Sequence, residues 1–180
     1  MIMRLTAVFL FAVIFYYLSP PLAHAEYVLP YPSYMPGNKL YRVTRIVDRL
    51  KKPFYFGTIA RIKYHAALAD KYLVEAKTLF EYKQYLLALD ALSRSDREVA
   101  AMVPGISRGG KEGKDMRAFV RPTQEMCDTH TLILNGLKLR IPVTFEWTPE
   151  KSIPTTLPLG DRLTSSVILR SSIKQNLPDL

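Results

Sequence analysis

From Thr58 onward, apolar or small residues recur at Ile59, Ile62, Ala66, Ala69, Leu73, Ala76 and Phe80, an unbroken alternation of three- and four-residue steps. That spacing predicts an amphipathic helix. Tyr64, Leu68, Tyr72 and Leu79 form a second stripe, so the helix has two apolar sides and belongs at the centre of the fold, where its alanines let a neighbour approach closely. Glu81 to Gln84 make a short polar turn, and Tyr85, Ala88, Leu92, Val99 and Met102 supply the facing stripe of a return helix. The pair is an antiparallel helical hairpin.

Four further segments extend the pattern. A helix is expected after Pro36-Gly37, capped by Asn38, with Leu40, Val43, Ile46, Val47 and Leu50 inward and Arg42, Arg45 and Arg49 on the wet side. Pro53 ends it, and Phe54, Tyr55 and Phe56 form an aromatic corner before Gly57. Pro104-Gly105 is expected to end the return helix and open a polar, Gly-rich loop, "PGISRGGKEGK". Met116, Phe119, Thr123, Met126, His130, Ile133 and Leu137 mark another helix, ordered from about Pro122 to Leu139. Beyond Pro142 lies a proline-rich stretch. Val143, Phe145 and Trp147 alternate with polar residues there, too briefly to build a sheet, so an extended segment pinned by Trp147 is expected. Asp161 then caps a last helix through about Lys174, with Leu163, Val167 and Ile173 as its weak apolar stripe. The fold class is therefore all-α, a small antiparallel bundle of about five helices.

The N-terminus changes the compartment. Arg4, the 14 uncharged residues "LTAVFLFAVIFYYL" and the small, spaced residues of Ala23-His24-Ala25 have the layout of a signal peptide cleaved after Ala25. A membrane anchor is the competing reading, but a hydrocarbon core wants about 20 apolar residues and Pro20-Pro21 stops this run early. Next comes the strap "LPYPSYMP". Its prolines remove backbone donors and hold an extended conformation, so Leu29, Tyr31, Tyr34 and Met35 are expected in a groove between helices. A proline-rich ligand offered to a partner is the alternative, without P-x-x-P spacing to support it. The chain divides into a signal peptide at 1–25, the strap at 26–38, the bundle core at 39–141, an extended linker at 142–158 and a C-terminal helix and tail at 159–180.

Charge adds a candidate surface. The whole chain has 25 Lys and Arg against 16 Asp and Glu. Removing Arg4 with the signal leaves 24 against 16, a net +8 on the mature chain. Between Lys39 and Lys71 nine basic residues face only Asp48 and Asp70. Outside the cytoplasm such a surface meets anionic lipid or acidic polymers. Arg42, Arg45, Arg49, Lys51, Lys52, Arg61 and Lys63 form the candidate polyanion-binding set, and a solvated face that aids solubility is the plainer reading.

Motifs for chemistry are weak. Gly105-Ile106-Ser107-Arg108-Gly109 spells G-x-S-x-G, but a nucleophile elbow follows a strand and sits in an α/β sheet, and here a helix precedes it. The same residues nearly spell a phosphate loop, yet Glu112 stands where a Ser or Thr hydroxyl should hold Mg²⁺. Cys127 and His130 lie three apart on one helical face. Two ligands do not make a metal site, and a buried His130 is expected. A single cysteine makes no intramolecular disulfide and reads as a small buried hydrophobe, with an intermolecular disulfide as the alternative. These residues call for no catalytic group, cofactor or metal.

The segments "LPYPSYMPGNKLY", "FYFGTIARIKYHAALADKYLVEA" and "YLLALDAL", spanning Leu29 to Leu92, resemble a family of secreted bacterial domains of unknown function, the one catalogued as number 5667. The resemblance implies a helical, extracytoplasmic domain and assigns no activity. Ala76, Phe80, Tyr85 and Ala88 also resemble one tetratricopeptide hairpin, without a second copy at that period. The expected function is a non-enzymatic interaction or structural module of the cell envelope, its partner an envelope protein or an anionic surface. The alternative is a basic binder of anionic lipid or polyanion, without specific nucleic-acid recognition and without a transmembrane span once the signal is cleaved.

Overall fold

The computed structural model describes residues 27–31, 35, 39–51, 54–149 and 153–177, the side chains at 39, 40, 42, 45 and 49 excepted. The fold is all-α apart from one small ribbon. In order come α1 (Lys39–Lys51), α2 (Thr58–Glu81), α3 (Tyr85–Lys111), α4 (Arg117–Lys138), β1 (Phe145–Trp147), β2 (Thr155–Leu157) and α5 (Leu159–Asn176). The signal segment, Asn38 and Tyr34 lie outside the described residues. Among the described residues, no helix is long and apolar enough to cross a membrane.

The α2–α3 hairpin is the most extensive helix pairing in the molecule. Its seam is narrow because Ala69, Ala76, Ala88 and Ala91 are buried along it, and Ser95 Oγ donates to the Ala69 carbonyl at 2.8 Å. The reversal is closed by Lys83 in a left-handed conformation (φ 59°) and by the Gln84 amide bonded to the Leu79 carbonyl at 2.9 Å. Helix α5 packs on α3 and α4, so it belongs to the same bundle as residues 39–141.

Apolar packing falls into two halves. One gathers Leu73, Phe80, Leu92, Leu134 and Leu163; the other gathers Ile62, Val99, Met102, Met126 and Ile173. Along α2, α3, α4 and α5 alike, the residues between these halves are polar: Asp70, Ser95 with Asp96, His130, and Ser166 with Arg170.

Five expectations need correction. First, α3 does not stop at Pro104-Gly105 but runs to Lys111. An interior proline loses one intrahelical bond and crowds the carbonyl one turn back, at about 3 kcal/mol, and the buried residues on both sides of Pro104 hold the helix through it. Two glycines of α3 are closely packed. A Cβ on Gly105 would stand 2.9 Å from Ile62 Cγ1, and one on Gly109 would stand 2.4 Å from Met116 Sδ.

Second, α4 begins at Arg117, five residues before Pro122, which sits inside the helix. Phe119 and Val120 amides reach back to the Met116 carbonyl, so the turn before the proline is already helical.

Third, residues in the proline-rich stretch pair into an antiparallel ribbon, Phe145 opposite Leu157 and Trp147 opposite Thr155. Phe145 packs edge-on to Tyr85 at 4.7 Å between ring centres, and Phe145 and Trp147 are equally exposed, at 36% each. The backbone bonds of β2 compensate for β1's short length.

Fourth, α5 starts at Leu159 after Pro158, with no side-chain cap, and Asp161 lies within its first turn.

Fifth, the strap is held only in part by the residues expected. Met35 packs as expected, on the Leu73 half of the core. Tyr31 does not and is 96% exposed. Tyr27 is an unexpected anchor, held by a hydrogen bond to Asp70.

Candidate functional site

Two arrangements draw together the chemistry-bearing side chains. The first is the buried polar layer. Arg170 is fully buried. Its Nε–H donates to His130 Nδ1 at 3.2 Å, its Nη1 to Asp96 Oδ1 at 2.7 Å and its Nη2 to Ser95 Oγ at 2.9 Å. Because Nδ1 of His130 accepts, the ring proton sits on Nε2 and is donated to Asp70 Oδ1 at 2.8 Å. Tyr27 donates its hydroxyl proton to the other oxygen of Asp70 at 2.6 Å, and Ser166 Oγ donates to Asp96 Oδ2 at 2.7 Å. One continuous network thus joins the strap, α2, α3, α4 and α5.

Burial is the main force holding the His130 pKa below the ordinary imidazole value, and the adjacent Arg170 cation adds to it, while Asp70 opposes it. Burial and the Asp70 carboxyl together push the Tyr27 hydroxyl up. An Asp–His pair could in principle orient a catalytic base, but here Arg170 occupies the histidine nitrogen that would have to accept a nucleophile's proton. Neither Ser95 nor Ser166 is free, each already donating within the layer. Burial raises the Cys127 thiol to about 11, which leaves it unreactive as a thiolate near neutrality. The layer is built to hold helices together, with each member satisfying another.

Ser107 is exposed on the last turns of α3, so the G-x-S-x-G stretch is a helix and provides no elbow. The near-match to a phosphate loop fails for the same reason. In a helix the amides that would cradle phosphate already bond to carbonyls one turn back. Among the described residues, no group of three or more His, Cys, Asp or Glu side chains could hold a metal ion.

The second arrangement is α1. Its inward side is polar. Tyr41 donates to Glu75 Oε2 at 3.2 Å and accepts from Arg94 Nη1 at 2.5 Å. Asp48 pairs with Lys71, and its carbonyl accepts from Tyr64 Oη at 2.7 Å. Tyr41, Thr44 and Asp48 share one helical face. Val43, Ile46, Val47 and Leu50 fall roughly opposite at 3.6 residues per turn, and all four are exposed, Leu50 to 61%. This reverses the sequence expectation that the apolar stripe faces inward. The reason is competition. Buried Glu75 and Arg94 on the bundle need polar partners, and Tyr41 is the residue of α1 that meets them.

Phe54 and Phe56, a few residues further along the chain, are mostly exposed as well. Val43 and Val47 also line a groove of about 650 Å³ with Val28, Pro30, Tyr31 and Ala67, its polar wall formed by Thr44, Asp48, Lys51, Asp70 and Lys71.

The basic set is only partly assembled. Lys51 and Arg61 are exposed, and Arg61 shares a face of α2 with Tyr64 and Leu68, the side on which α1 ends. Lys63 is turned away, 5.9 Å from the Phe119 ring of α4. Lys52 and the side chains of Arg42, Arg45 and Arg49 lie outside the described residues. Sequence reasoning missed Asp70, Asp96, Ser166 and Arg170. Their signal was present in α5, where Leu163, Ser166, Arg170 and Ile173 keep three- and four-residue steps, so two polar residues interrupt an apolar stripe.

Compared with known proteins, the chain matches no family model, no curated protein and no solved structure.

Proposed function

We propose that this protein is a non-enzymatic, extracytoplasmic interaction module of the bacterial cell envelope. The observation that carries this reading is a contrast. The side chains best suited to chemistry, Asp70, His130, Cys127 and Ser95, are buried and engaged or unreactive, while the strongest apolar stripe of α1 points away from the bundle. A protein built for catalysis exposes its reactive groups in a cleft; one built to dock exposes apolar surface. The signal-like N-terminus supports the compartment.

The test is a fusion of the full chain to alkaline phosphatase, which is active only outside the cytoplasm, combined with a photo-crosslinker at Ile46. Phosphatase activity, a mature N-terminus at Glu26 and crosslinks from position 46 to an envelope component are the expected results. A chain retained in the cytoplasm would overturn the reading.

A further inference from the structure

Helix α1 is attached by its polar side, and this determines what its other side can do. The Tyr41–Glu75–Arg94 contacts and the Asp48–Lys71 pair hold it to α2 and α3. In this orientation the bundle cannot cover Val43, Ile46, Val47 or Leu50. Phe54 and Phe56, a few residues beyond the end of the helix in the chain, are exposed as well, and Val28 and Tyr31 of the strap line a groove with Val43 and Val47.

The charge on α1 itself is strongly basic. Helix α1 carries Lys39, Arg42, Arg45, Arg49 and Lys51 against a single acid, Asp48. Asp48 is taken up by Lys71 on the inward side, and Asp70, the next acid along the chain, is bonded to Tyr27 and His130. Both acids line the groove beside Val43 and Val47, each already paired, and the helix keeps a basic excess. By helical register, positions 42, 45 and 49 run along one flank of the apolar stripe and position 51 lies on the other.

We infer that α1 lies flat on an anionic lipid bilayer, with its aliphatic stripe and the Phe54–Phe56 corner in the headgroup–acyl boundary and its basic flanks among the headgroups. This deepens the interaction-module reading and rests on it. A short helix with a basic polar side, an exposed aliphatic side and adjacent aromatics has the composition of an interfacial helix. A second copy docked stripe to stripe would bring two basic flanks together. A soluble polyanion would use the charges and leave the aliphatic stripe in water.

The experiment uses the chain in the form that cells release, mixed with vesicles of phosphatidylcholine alone or with phosphatidylglycerol added, at low and high salt. The protein should sediment with the anionic vesicles and weakly with the neutral ones, and salt should reduce binding without abolishing it. Ile46→Ser/Leu50→Ser should lower partitioning by about tenfold or more, with an unchanged melting temperature and unchanged binding to soluble polyphosphate. No vesicle binding, or equal binding by the variant, overturns the inference. So does a wild-type dimer that the variant loses, which would assign the stripe to a second copy, and so does a lowered melting temperature, which would put the stripe inside. Failure here is separable from failure of the wider reading. An exported chain that ignores vesicles but crosslinks from position 46 to an envelope protein keeps the module and removes the lipid. A chain that stays in the cytoplasm removes the module whatever the vesicles show.

Discussion

Arg170 Nε and His130 Nδ1 meet at 3.2 Å in the interior of the bundle, and this contact sets the protonation of the layer around it. With a guanidinium donating to it, Nδ1 cannot hold a proton, so His130 stays neutral as long as the layer stays closed. Asp70 from α2, with Tyr27 of the strap behind it, faces the other ring nitrogen; Asp96 of α3 faces Arg170.

Acid should open this layer. The folded pKa of His130 is depressed, so its contribution to stability is full above the unfolded value of about 6.5. It is lost as pH falls below that value and through the lower folded one. Thermal melts between neutral pH and about pH 5 should show a steeper decline for the wild type than for His130→Gln, whose amide does not titrate. Parallel curves would show that His130 is not the responding group.

Arg170→Met should be severely destabilising. It leaves Asp96 and Ser95 short of a donor in the interior, and breaking a buried charge pair costs about 3 to 5 kcal/mol. Adding Asp96→Asn should recover part of the loss, because the stranded charge is then gone. Denaturant melts of the single and double variants measure both quantities.

Glu75 should respond in the opposite direction to His130. Burial raises its carboxyl pKa, against the Tyr41 hydrogen bond and the nearby Lys71 and Arg94, and its Oε1 has no hydrogen-bond partner. A raised folded value favours the protonated acid, so the benefit is present at low pH and lost as pH rises through that value. Glu75→Gln should therefore melt higher than wild type at neutral pH, and the difference should shrink toward acid. An equal or lower melting temperature at neutral pH would count against it.

The glycines of α3 should separate into two kinds. Nothing lies within 4 Å of a Cβ on Gly110, so Gly110→Ala should stabilise by about 0.5 to 1 kcal/mol through helix propensity. Gly105→Ala meets Ile62 Cγ1 at 2.9 Å and should lose that gain to overpacking of about 1 to 3 kcal/mol. Paired thermal melts test this, and a stabilising Gly105→Ala would mean that α2 and α3 approach less closely there.

The strap supplies the last contrast. Tyr31→Ala removes an exposed ring and should change stability by no more than about 0.5 kcal/mol. Tyr27→Phe removes a 2.6 Å hydrogen bond to Asp70 and should cost about 1.5 to 3 kcal/mol, the range for a bond to a charged acceptor. Urea titrations of the two variants decide it, and a reversed order would place Tyr31 in the groove after all.

The sequence by itself determined the α2–α3 hairpin and the all-helical class, because both rest on local periodicity. The steps through Ala69, Leu73 and Ala76 have one helical reading, and the facing stripe on α3 is just as regular. The same rule reached further than Pro104 and Gly105 suggested. Val99, Met102, Ile106 and Gly109 keep the three- and four-residue steps, and all four are buried in the helix that runs through. What only the tertiary structure decided depends on partners far along the chain. Whether Pro104 breaks a helix depends on whether packing around it outweighs one lost hydrogen bond and a crowded carbonyl. Gly105 became a packing residue because Ile62, 43 positions earlier, lies against it. Arg170 found its partners on two other helices, α3 and α4, and no spacing within α5 names them. The orientation of α1 belongs here too. Its moment shows that one side is apolar, but a helix can bury either side. The bundle offered Glu75 and Arg94 where α1 docks, and a buried charge without a partner costs more than a row of aliphatic side chains left in water.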